Sequence, residues 1–182
     1  MTAEEAARLT AFASASRRTS FALGRTLARR LCAGVLGHAP LAVPLVVEGS
    51  GRLTLPNTGF DLTLAHSEDR AGAIVAPFSI GLDVERVRPR DARLWDRILA
   101  PGEARPAWPG WTDDERLMLA WTAKEAVLKG RGVGLRAGAA SVRVAWPEAE
   151  ARVVEAASAA DVWRVAVARH EGFVWAAAWR AG

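Results

Sequence analysis

The chain has 182 residues, a length that favours a single domain or one domain built from two small halves. Hydrophobic residues make up 51% and charged residues 24%, an ordinary globular balance, and the single cysteine, Cys32, excludes an internal disulfide framework. The formal net charge of +4 can help to attract anionic partners but identifies none.

The first residues predict neither a secretory signal nor a membrane segment. They include Glu4, Glu5 and Arg8 and lack a basic region followed by an apolar stretch. No uninterrupted apolar run in the chain reaches the roughly 18 residues of a membrane span. We therefore expect a cytoplasmic protein, with no membrane partner.

Two helices are predicted in the first forty residues. The first begins at Thr2, because Thr2 and Glu5 have the spacing of a capping box. The second runs from about residue 19 to Gly37, where an apolar stripe ends at a glycine. Arg25 and Arg29 lie four residues apart on this second helix, off the stripe.

Strands dominate the remainder of the sequence, with one short and one long helix between them. Short alternating or β-branched runs predict strands over 43–48, 53–55, 61–65, 72–76 and 80–87. A short helix is predicted over 91–99, and a second capping box, Thr112 with Glu115, opens a strong helix that ends near Lys129. Further strands are predicted over 141–146, 151–154, 162–170 and 173–179. Because no regular βαβ alternation is present, the pattern favours an α+β fold with largely antiparallel sheets.

Two carboxylates interrupt the apolar run that begins at Ile80. Asp83 and Glu85 point to the same face, since side chains alternate across a strand. Like charges side by side on an apolar strand are unfavourable unless a cation lies between them. The alternative is that both carboxylates face solvent at a sheet edge, with Arg86 and Arg88 as neighbours.

The long helix carries the second charged segment. Glu125 and Lys129 lie four residues apart on one face, which could be a simple surface ion pair, but Trp121 one turn earlier indicates an apolar border. Of the 24 basic residues, only Lys124 and Lys129 are lysine, and both fall here. Lysine is a compact ammonium that can titrate, whereas arginine remains charged and rigidly forked. The segment favours a site that needs a point charge or proton donor beside a phosphate, unless the two lysines are an accident of codon usage.

Three carboxylates on two rigid elements, Asp83, Glu85 and Glu125, favour a hard divalent cation. Mg²⁺ takes oxygen ligands and often completes its shell with substrate phosphate. The three histidines are scattered along the chain, so no Cys/His cluster favours zinc. The sequence also lacks a Walker-type phosphate loop and the Gly-x-Ser-x-Gly elbow of α/β-hydrolases.

At this point three segments, 81–85, 99–103 and 121–130, resemble the ordered motif set of the 4′-phosphopantetheinyl transferases. The family patterns are G-I/V-D-I/V-E, F-S/A-x-x-E and W-x-x-K-E-A/S-x-x-K. Upstream, Gly51-Arg52 resembles the family's Gly-Lys/Arg-Pro turn, and residues 62–67 resemble its N-I/V-S-H-S/T strand end. Thr63, Ala65 and Leu53 depart from the family's usual asparagine, serine and proline. The length is similar to that of the larger, surfactin-synthetase-activating class.

The resemblance implies both a fold and an activity. The fold is α+β, with two similar α/β lobes related by a pseudo-twofold axis, approximately residues 1–80 and 81–182. Each lobe has mainly antiparallel strands and a long packed helix. The activity is transfer of the 4′-phosphopantetheine arm of coenzyme A to a serine of an acyl or peptidyl carrier protein, with release of 3′,5′-ADP. The carrier could belong to fatty-acid, polyketide or nonribosomal-peptide synthesis, and the enzyme is expected to be a monomer.

The resemblance also implies roles for individual residues. The metal ligands for Mg²⁺, with Mn²⁺ as an alternative, would be Asp83, Glu85 and Glu125. Glu103 or Glu125, directly or through a metal-bound water, would take the proton of the attacking serine, and Lys129 would contact the phosphates and assist the departing ADP. Lys124 could support the phosphate site or the fold. The 3′-phosphate and adenine end of coenzyme A would be held by Arg25, Arg29, Arg52 and His66.

Two other functions compete with this one. The first is a nucleic-acid-binding module, in which an arginine patch would hold the phosphate backbone, although 20 acidic residues dilute it. Its members would be Arg17, Arg18, Arg25, Arg29 and Arg30. The second is a catalytically inactive member of the family. A separate hypothesis is that the proline-rich loop before the long helix, which contains Trp108 and Trp111, meets the carrier protein.

Overall fold

The fold is known from a computed structural model, which describes residues 1–49, 51–133, 137–159 and 161–180. It confirms an α+β architecture with antiparallel sheets. The helices are α1 (Ala3–Thr10), α2 (Ala15–Leu36), α3 (Leu94–Ile98) and α4 (Asp113–Arg131). The strands are β1 (Val46–Val47), β2 (Leu53–Thr54), β3 (Asp61–Ser67), β4 (Arg70–Ala76), β5 (Ile80–Arg86), β6 (Val142–Ala145), β7 (Val153–Ser158), β8 (Asp161–His170) and β9 (Phe173–Arg180).

Local sequence determines where the long helices begin. Both predicted capping boxes are present, at Thr2 for α1 and at Thr112 for α4. Helix α2 begins at Ala15, earlier than predicted, because the Ser14 hydroxyl accepts a hydrogen bond from the Arg17 amide and caps the helix there. Within the described ranges, no helix is both long enough and apolar enough to cross a membrane.

Helix α4 packs on one face of a five-stranded antiparallel sheet, whose order is β5-β9-β8-β7-β6. The helix and strand β5 approach at glycines: a Cβ on Gly81 would lie 1.8 Å from the carbonyl oxygen of Ala126. On the same side, a Cβ on Gly130 would lie 2.6 Å from the ring of Trp163. Both positions therefore require glycine if the helix is to pack this closely on the sheet.

The loop tryptophans belong to the core beneath α4. Trp108 is 0% exposed and Trp111 4% exposed, and their rings meet edge to face at 5.5 Å. The Trp108 indole donates to the carbonyl of Pro147, and that of Trp111 donates to Glu150. Burying these two side chains anchors the loop, so the indole rings themselves are not available to a partner. The hypothesis that the loop meets a carrier protein stays a prediction.

Strand β3 meets strand β5 through side chains. Asp61, Thr63 and Ser67 of β3 accept hydrogen bonds from the backbone amides of residues 80, 82 and 86 of β5, at 3.0–3.2 Å. Each pair is separated by 19 positions, so the two strands run side by side in the same direction. We call this contact the β3–β5 junction. It joins the N-terminal half, with α2 and the β3–β4 hairpin, to the five-stranded sheet.

Candidate functional site

A cavity of about 630 Å³ lies between α2, β3, the loop before β2 and the last turn of α4. Its volume is in the range that binding sites for cofactors and small molecules occupy. We call it the α2 cavity. It is lined by Phe12, Ser16, Arg17, Ser20, Phe21, Arg25, Gly51, Arg52, Leu53, Leu62, Thr63, Leu64, His66, Lys129 and Gly132.

The lining combines apolar and cationic side chains. Four of the residues predicted to bind the co-substrate or its phosphates, Arg25, Arg52, His66 and Lys129, share this cavity. Leucine and phenylalanine side chains provide apolar surface for a flat ring, and guanidinium and ammonium groups suit phosphate oxygens. The cavity therefore fits a ligand that has an apolar ring and several negative charges.

Arg25 supplies a buried guanidinium that the fold leaves incompletely bonded. The residue is 7% exposed, and its guanidinium stacks on the ring of Phe21 at 5.0 Å. Burial lowers the pKa of Arg25, and the charge of Glu5 opposes this effect. Among the described residues, the Nη1 atom of Arg25 has no hydrogen-bond partner. A buried charged donor without a partner is costly, so an anion bound in the cavity would stabilise it.

Arg29 does not reach the α2 cavity, contrary to its predicted role in binding coenzyme A. Its guanidinium binds the carboxylate of Glu5 at 2.9 Å and the carbonyl oxygens of Pro40 and Val43 at 3.2 Å. It is 5% exposed. Arg29 therefore fastens α1 and the segment after α2 to α2 itself.

Three carboxylates converge between β5 and α4, and we call them the carboxylate cluster. The strand register pairs Asp83 with Ala176 and Glu85 with Val174, which places both on the face that α4 covers. Glu125 reaches them from α4, and Asp83 and Glu125 are each only 6% exposed. The alternative in which the strand carboxylates face solvent is therefore wrong for Asp83.

The carboxylates of the cluster repel one another. Burial raises the pKa of Asp83 above its ordinary value, although the charge of Lys129 opposes this. Burial and the charge of Asp83 raise the pKa of Glu85, whose carboxylate also accepts a hydrogen bond from Trp121. Burial, then Asp83 and Glu85, raise the pKa of Glu125 to about 7. Three neighbouring carboxylates with raised pKa values form a site that a cation would stabilise.

Lys129 connects the carboxylate cluster to the α2 cavity. Its ammonium lies 2.7 Å from Oδ1 of Asp83, and the same side chain lines the cavity. In the described part of the chain, Oδ2 of Asp83 and Oε1 of Glu125 are buried without a hydrogen-bond partner. One ammonium therefore leaves the cluster only partly neutralised.

The donor set of the cluster fits a hard divalent cation. Carboxylate oxygens are the ligands that Mg²⁺ prefers, and two of them are buried and unpartnered. As the side chains stand, no group of three or more Asp, Glu, His or Cys residues in the described ranges could hold a metal ion. Binding would therefore draw Asp83, Glu85 and Glu125 together around the ion.

Lys124 and Glu103 form a separate buried pair. The Lys124 ammonium lies 2.5 Å from Oε2 of Glu103 and 2.6 Å from the carbonyl oxygen of Val142. Glu103 also accepts from the amides of Ala100 and Val144, at 2.8 and 3.2 Å. The side chains are 0% and 1% exposed, and burial lowers the pKa of Lys124 while Glu103 opposes the shift. Each charge has an opposite charge in contact and further hydrogen bonds, so this pair fastens α4 to β6 and to the loop after α3. Lys124 does not line the α2 cavity.

The sequence analysis assigns no role at the site to two residues that contact Arg52 in the cavity wall. The two carboxylate oxygens of Asp61 each accept a hydrogen bond from the Arg52 guanidinium, at 2.7 Å. Gly132 lies against the same guanidinium. The signal for Asp61 was available, because it shares a strand face with Thr63 in a run predicted as β. The position of Gly132 beside Arg52 depends on how the two halves pack, which no local pattern reports.

The departures from the family's strand-end motif fall at the β3–β5 junction. The Thr63 hydroxyl accepts a hydrogen bond from the amide of Leu82. Ala65 is 3% exposed and packs with Leu82, Val84 and Phe173. The substitution at position 65 therefore places a methyl group in this apolar cluster rather than a hydroxyl.

A comparison with protein families gives a match over residues 79–178, which is more than half of the chain. The matched range contains the carboxylate cluster, the Lys124–Glu103 pair and Lys129, whereas most of the α2 cavity lies before it. No curated protein sequence gives a match. The chain belongs to the 4′-phosphopantetheinyl transferase superfamily.

Proposed function

We propose that the chain transfers the 4′-phosphopantetheine arm of coenzyme A to a serine of an acyl or peptidyl carrier protein and releases 3′,5′-ADP. The observation that carries the proposal is the position of Lys129, which lines the α2 cavity and also binds Asp83 of the carboxylate cluster. One side chain thus joins a cavity suited to a nucleotide to a cluster suited to a divalent cation. The proposal includes the surfactin-synthetase-activating type and the pseudo-twofold relation between two lobes, which remain predictions.

Coenzyme A would bind in the α2 cavity. Arg25 and Arg52 would bind its phosphates, and the leucine and phenylalanine side chains would hold the adenine ring. His66 also lines the cavity, and its charge contributes to lowering the pKa of Asp83, against the larger effect of burial. Arg29 and Lys124 have no part in this binding, since neither lines the cavity.

Asp83, Glu85 and Glu125 would hold Mg²⁺, or Mn²⁺ in its place. When bound, the ion would supply neutralisation of the diphosphate charge. Lys129 would bind the same phosphates and stabilise the charge that develops on the departing 3′,5′-ADP. The cluster and Lys129 would together orient the diphosphate toward the incoming serine.

Glu125 is the general base that the structure favours. The serine oxygen forms a bond to the β-phosphorus as the bond to the leaving 3′,5′-ADP breaks, and the serine proton goes to a carboxylate. In the part of the chain that the structure describes, Oε1 of Glu125 has no partner, whereas both oxygens of Glu103 are bonded. Glu103 would therefore act on the reaction through the position of α4.

The arginine patch of the nucleic-acid alternative receives no support from the structure. Two of its five members, Arg25 and Arg29, are buried and face the interior. Measuring phosphopantetheine transfer directly distinguishes the proposal from the alternative that the chain is a catalytically inactive member of the family.

The test is the intact mass of an apo carrier protein after incubation with the protein, coenzyme A and Mg²⁺. We expect a gain of one phosphopantetheine, and no gain when EDTA is present or when the acceptor serine of the carrier is replaced by alanine. Carriers from fatty-acid, polyketide and nonribosomal-peptide synthesis would be compared. Absence of any gain on all three, from protein shown to be folded, would contradict the proposal.

A further inference from the structure

Arg52 is held in the wall of the α2 cavity by a carboxylate. Its Nη2 atom donates to both oxygens of Asp61, each at 2.7 Å. The Arg52 side chain is 24% exposed and that of Asp61 18% exposed, so the pair is largely removed from water. Charge-assisted hydrogen bonds in such surroundings fix the orientation of a guanidinium.

The main chain at the end of α4 lies against the same guanidinium. Gly132 caps α4 in the left-handed conformation, with φ of 71°. A Cβ there would lie 2.4 Å from Nη1 of Arg52, so any other residue would displace the guanidinium. Gly132 also donates its amide to the carbonyl of Lys129, which lines the same cavity. Arg52 therefore sits between Asp61 on one side and the last turn of α4 on the other.

Asp61 is in addition part of the β3–β5 junction. Its Oδ2 accepts from the amide of Ile80, at 3.1 Å, and Ile80 begins the strand that carries Asp83. A single carboxylate thus holds the cavity arginine and the start of the strand that bears the carboxylate cluster. This arrangement sets where the Arg52 guanidinium stands relative to Lys129 and Asp83.

We propose that Asp61 is a positioning residue for coenzyme A: it holds the Arg52 guanidinium where the anionic groups of the co-substrate bind. The inference rests on the proposed function. It assigns to Asp61 an effect on co-substrate affinity that depends on Arg52, as distinct from its contribution to the β3–β5 junction. Asp61 touches no reacting atom.

The test is the dissociation constant for coenzyme A, measured by isothermal titration calorimetry on the native chain, Arg52→Ala, Asp61→Asn and the double variant. Each single variant should weaken binding by about tenfold, as expected for losing a charged hydrogen bond. Because Asp61 acts through Arg52, the double variant should bind no more weakly than Arg52→Ala alone. The inference would be overturned if the affinity loss of the double variant equalled the product of the two single losses, or if Asp61→Asn bound coenzyme A with the native dissociation constant.

A matched control separates positioning from the junction itself. Ser67→Ala removes another β3–β5 hydrogen bond, to the amide of Arg86, and Ser67 does not line the cavity. It should leave the dissociation constant unchanged, and an equal weakening in this variant would overturn the inference. Thermal unfolding of every variant, followed by circular dichroism, verifies that each is folded.

If Asp61→Asn fails to fold, Gly132→Ala serves as a second test, because its methyl group would push on the Arg52 guanidinium from the side opposite Asp61. It should weaken coenzyme A binding, because the new methyl displaces the guanidinium, and unchanged binding would overturn the inference. Gly37→Ala is its control: Gly37 caps α2 with φ of 68° and has open space around it. A native chain that binds no coenzyme A would instead overturn the proposed function.

Discussion

Lys124 and Glu125 are neighbours on α4, and both are buried, but their surroundings differ. The ammonium of Lys124 has a carboxylate at 2.5 Å and a carbonyl oxygen at 2.6 Å. Glu125 has two further carboxylates near it, and, within the described residues, no hydrogen-bond partner for its Oε1 atom. The charge of Lys124 is therefore matched by an opposite charge in direct contact, whereas that of Glu125 lies beside like charges.

Under the proposed function, the difference separates a charge that holds the fold together from one that takes part in the reaction. A buried ion pair with all of its hydrogen bonds made locks the elements that it joins. Buried like charges destabilise a fold, and they persist where a ligand that neutralises them provides compensation. The following predictions test this division of α4 into a structural side and a reactive side, in order of decreasing effect.

The largest effect is expected on the structural side. Lys124→Met leaves the carboxylate of Glu103 buried without its cation and should lower the free energy of unfolding by about 3–5 kcal/mol. Urea denaturation followed by tryptophan fluorescence measures it. Adding Glu103→Leu to the same chain should restore a large part of the loss, because both charges are then gone. Native stability in the single variant would show that the pair does not lock α4.

On the reactive side, the same kind of change should remove chemistry and keep the fold. Glu125→Gln should lower kcat by about 10²–10⁴-fold, the range for loss of a general base, with loss of a metal ligand adding to it. Transfer to a carrier protein in saturating coenzyme A measures kcat. Glu155→Gln, at an exposed position of β7, is the control and should retain native activity. Near-native kcat in Glu125→Gln would place the proton acceptor elsewhere.

Removing the charge of Glu125 should also stabilise the metal-free protein. The pKa of Glu125 is about 7 in the folded chain against 4.5 ordinarily, so the folded state binds the proton more tightly. Stability is therefore lost as the pH rises from about 4.5 to about 7, and Glu125→Gln should be more stable than the native chain by about 2–3 kcal/mol at pH 8. Urea denaturation in EDTA at pH 5 and pH 8 measures the difference, which should be small at pH 5. An equal or lower stability of the variant at pH 8 would contradict the destabilisation of the Glu125 carboxylate by burial and by its acidic neighbours.

The smallest effect concerns competition for Asp83. Lys129→Met removes an ammonium that lies 2.7 Å from that carboxylate and should raise the affinity for Mg²⁺ by about fivefold in the absence of coenzyme A. Calorimetric titration of Mg²⁺ into the two proteins provides the comparison. Transfer activity should fall at the same time, because Lys129 also lines the α2 cavity. Weaker Mg²⁺ binding in the variant would mean that Lys129 assists the ion rather than competing with it.

Features with a local cause were predictable from the sequence. The capping boxes of α1 and α4 depend on side chains three residues apart, and both form. The common face of Asp83 and Glu85 follows from the two-residue period of a strand, which the register with β9 reproduces. These parts of the site required no knowledge of distant contacts.

Features that depend on distant elements were not predictable. Arg25 and Arg29 look equivalent in sequence, four residues apart on α2. Arg25 lines the cavity, whereas Arg29 binds Glu5, because α1 packs beside that part of α2. Lys124 and Lys129 likewise share one motif, and the positions of Glu103 and β6 decide that the first is buried in the core. The contact that anchors Trp108 was not predictable for the same reason, because its indole donates to Pro147 in a distant part of the chain.

Gly81 and Gly130 let the strand and the helix that carry the carboxylate cluster pack closely. With no side chain at Gly81, the backbone of β5 rests directly against that of α4, so the two elements that carry the three carboxylates approach as closely as their peptide groups allow. Ligand oxygens lie about 2.0–2.1 Å from Mg²⁺ and about 2.3–2.6 Å from Ca²⁺, so, if the cluster holds an ion as proposed, this close approach would favour the smaller one. The ion selectivity of the proposed site would then depend on two glycines that do not themselves bind the ion.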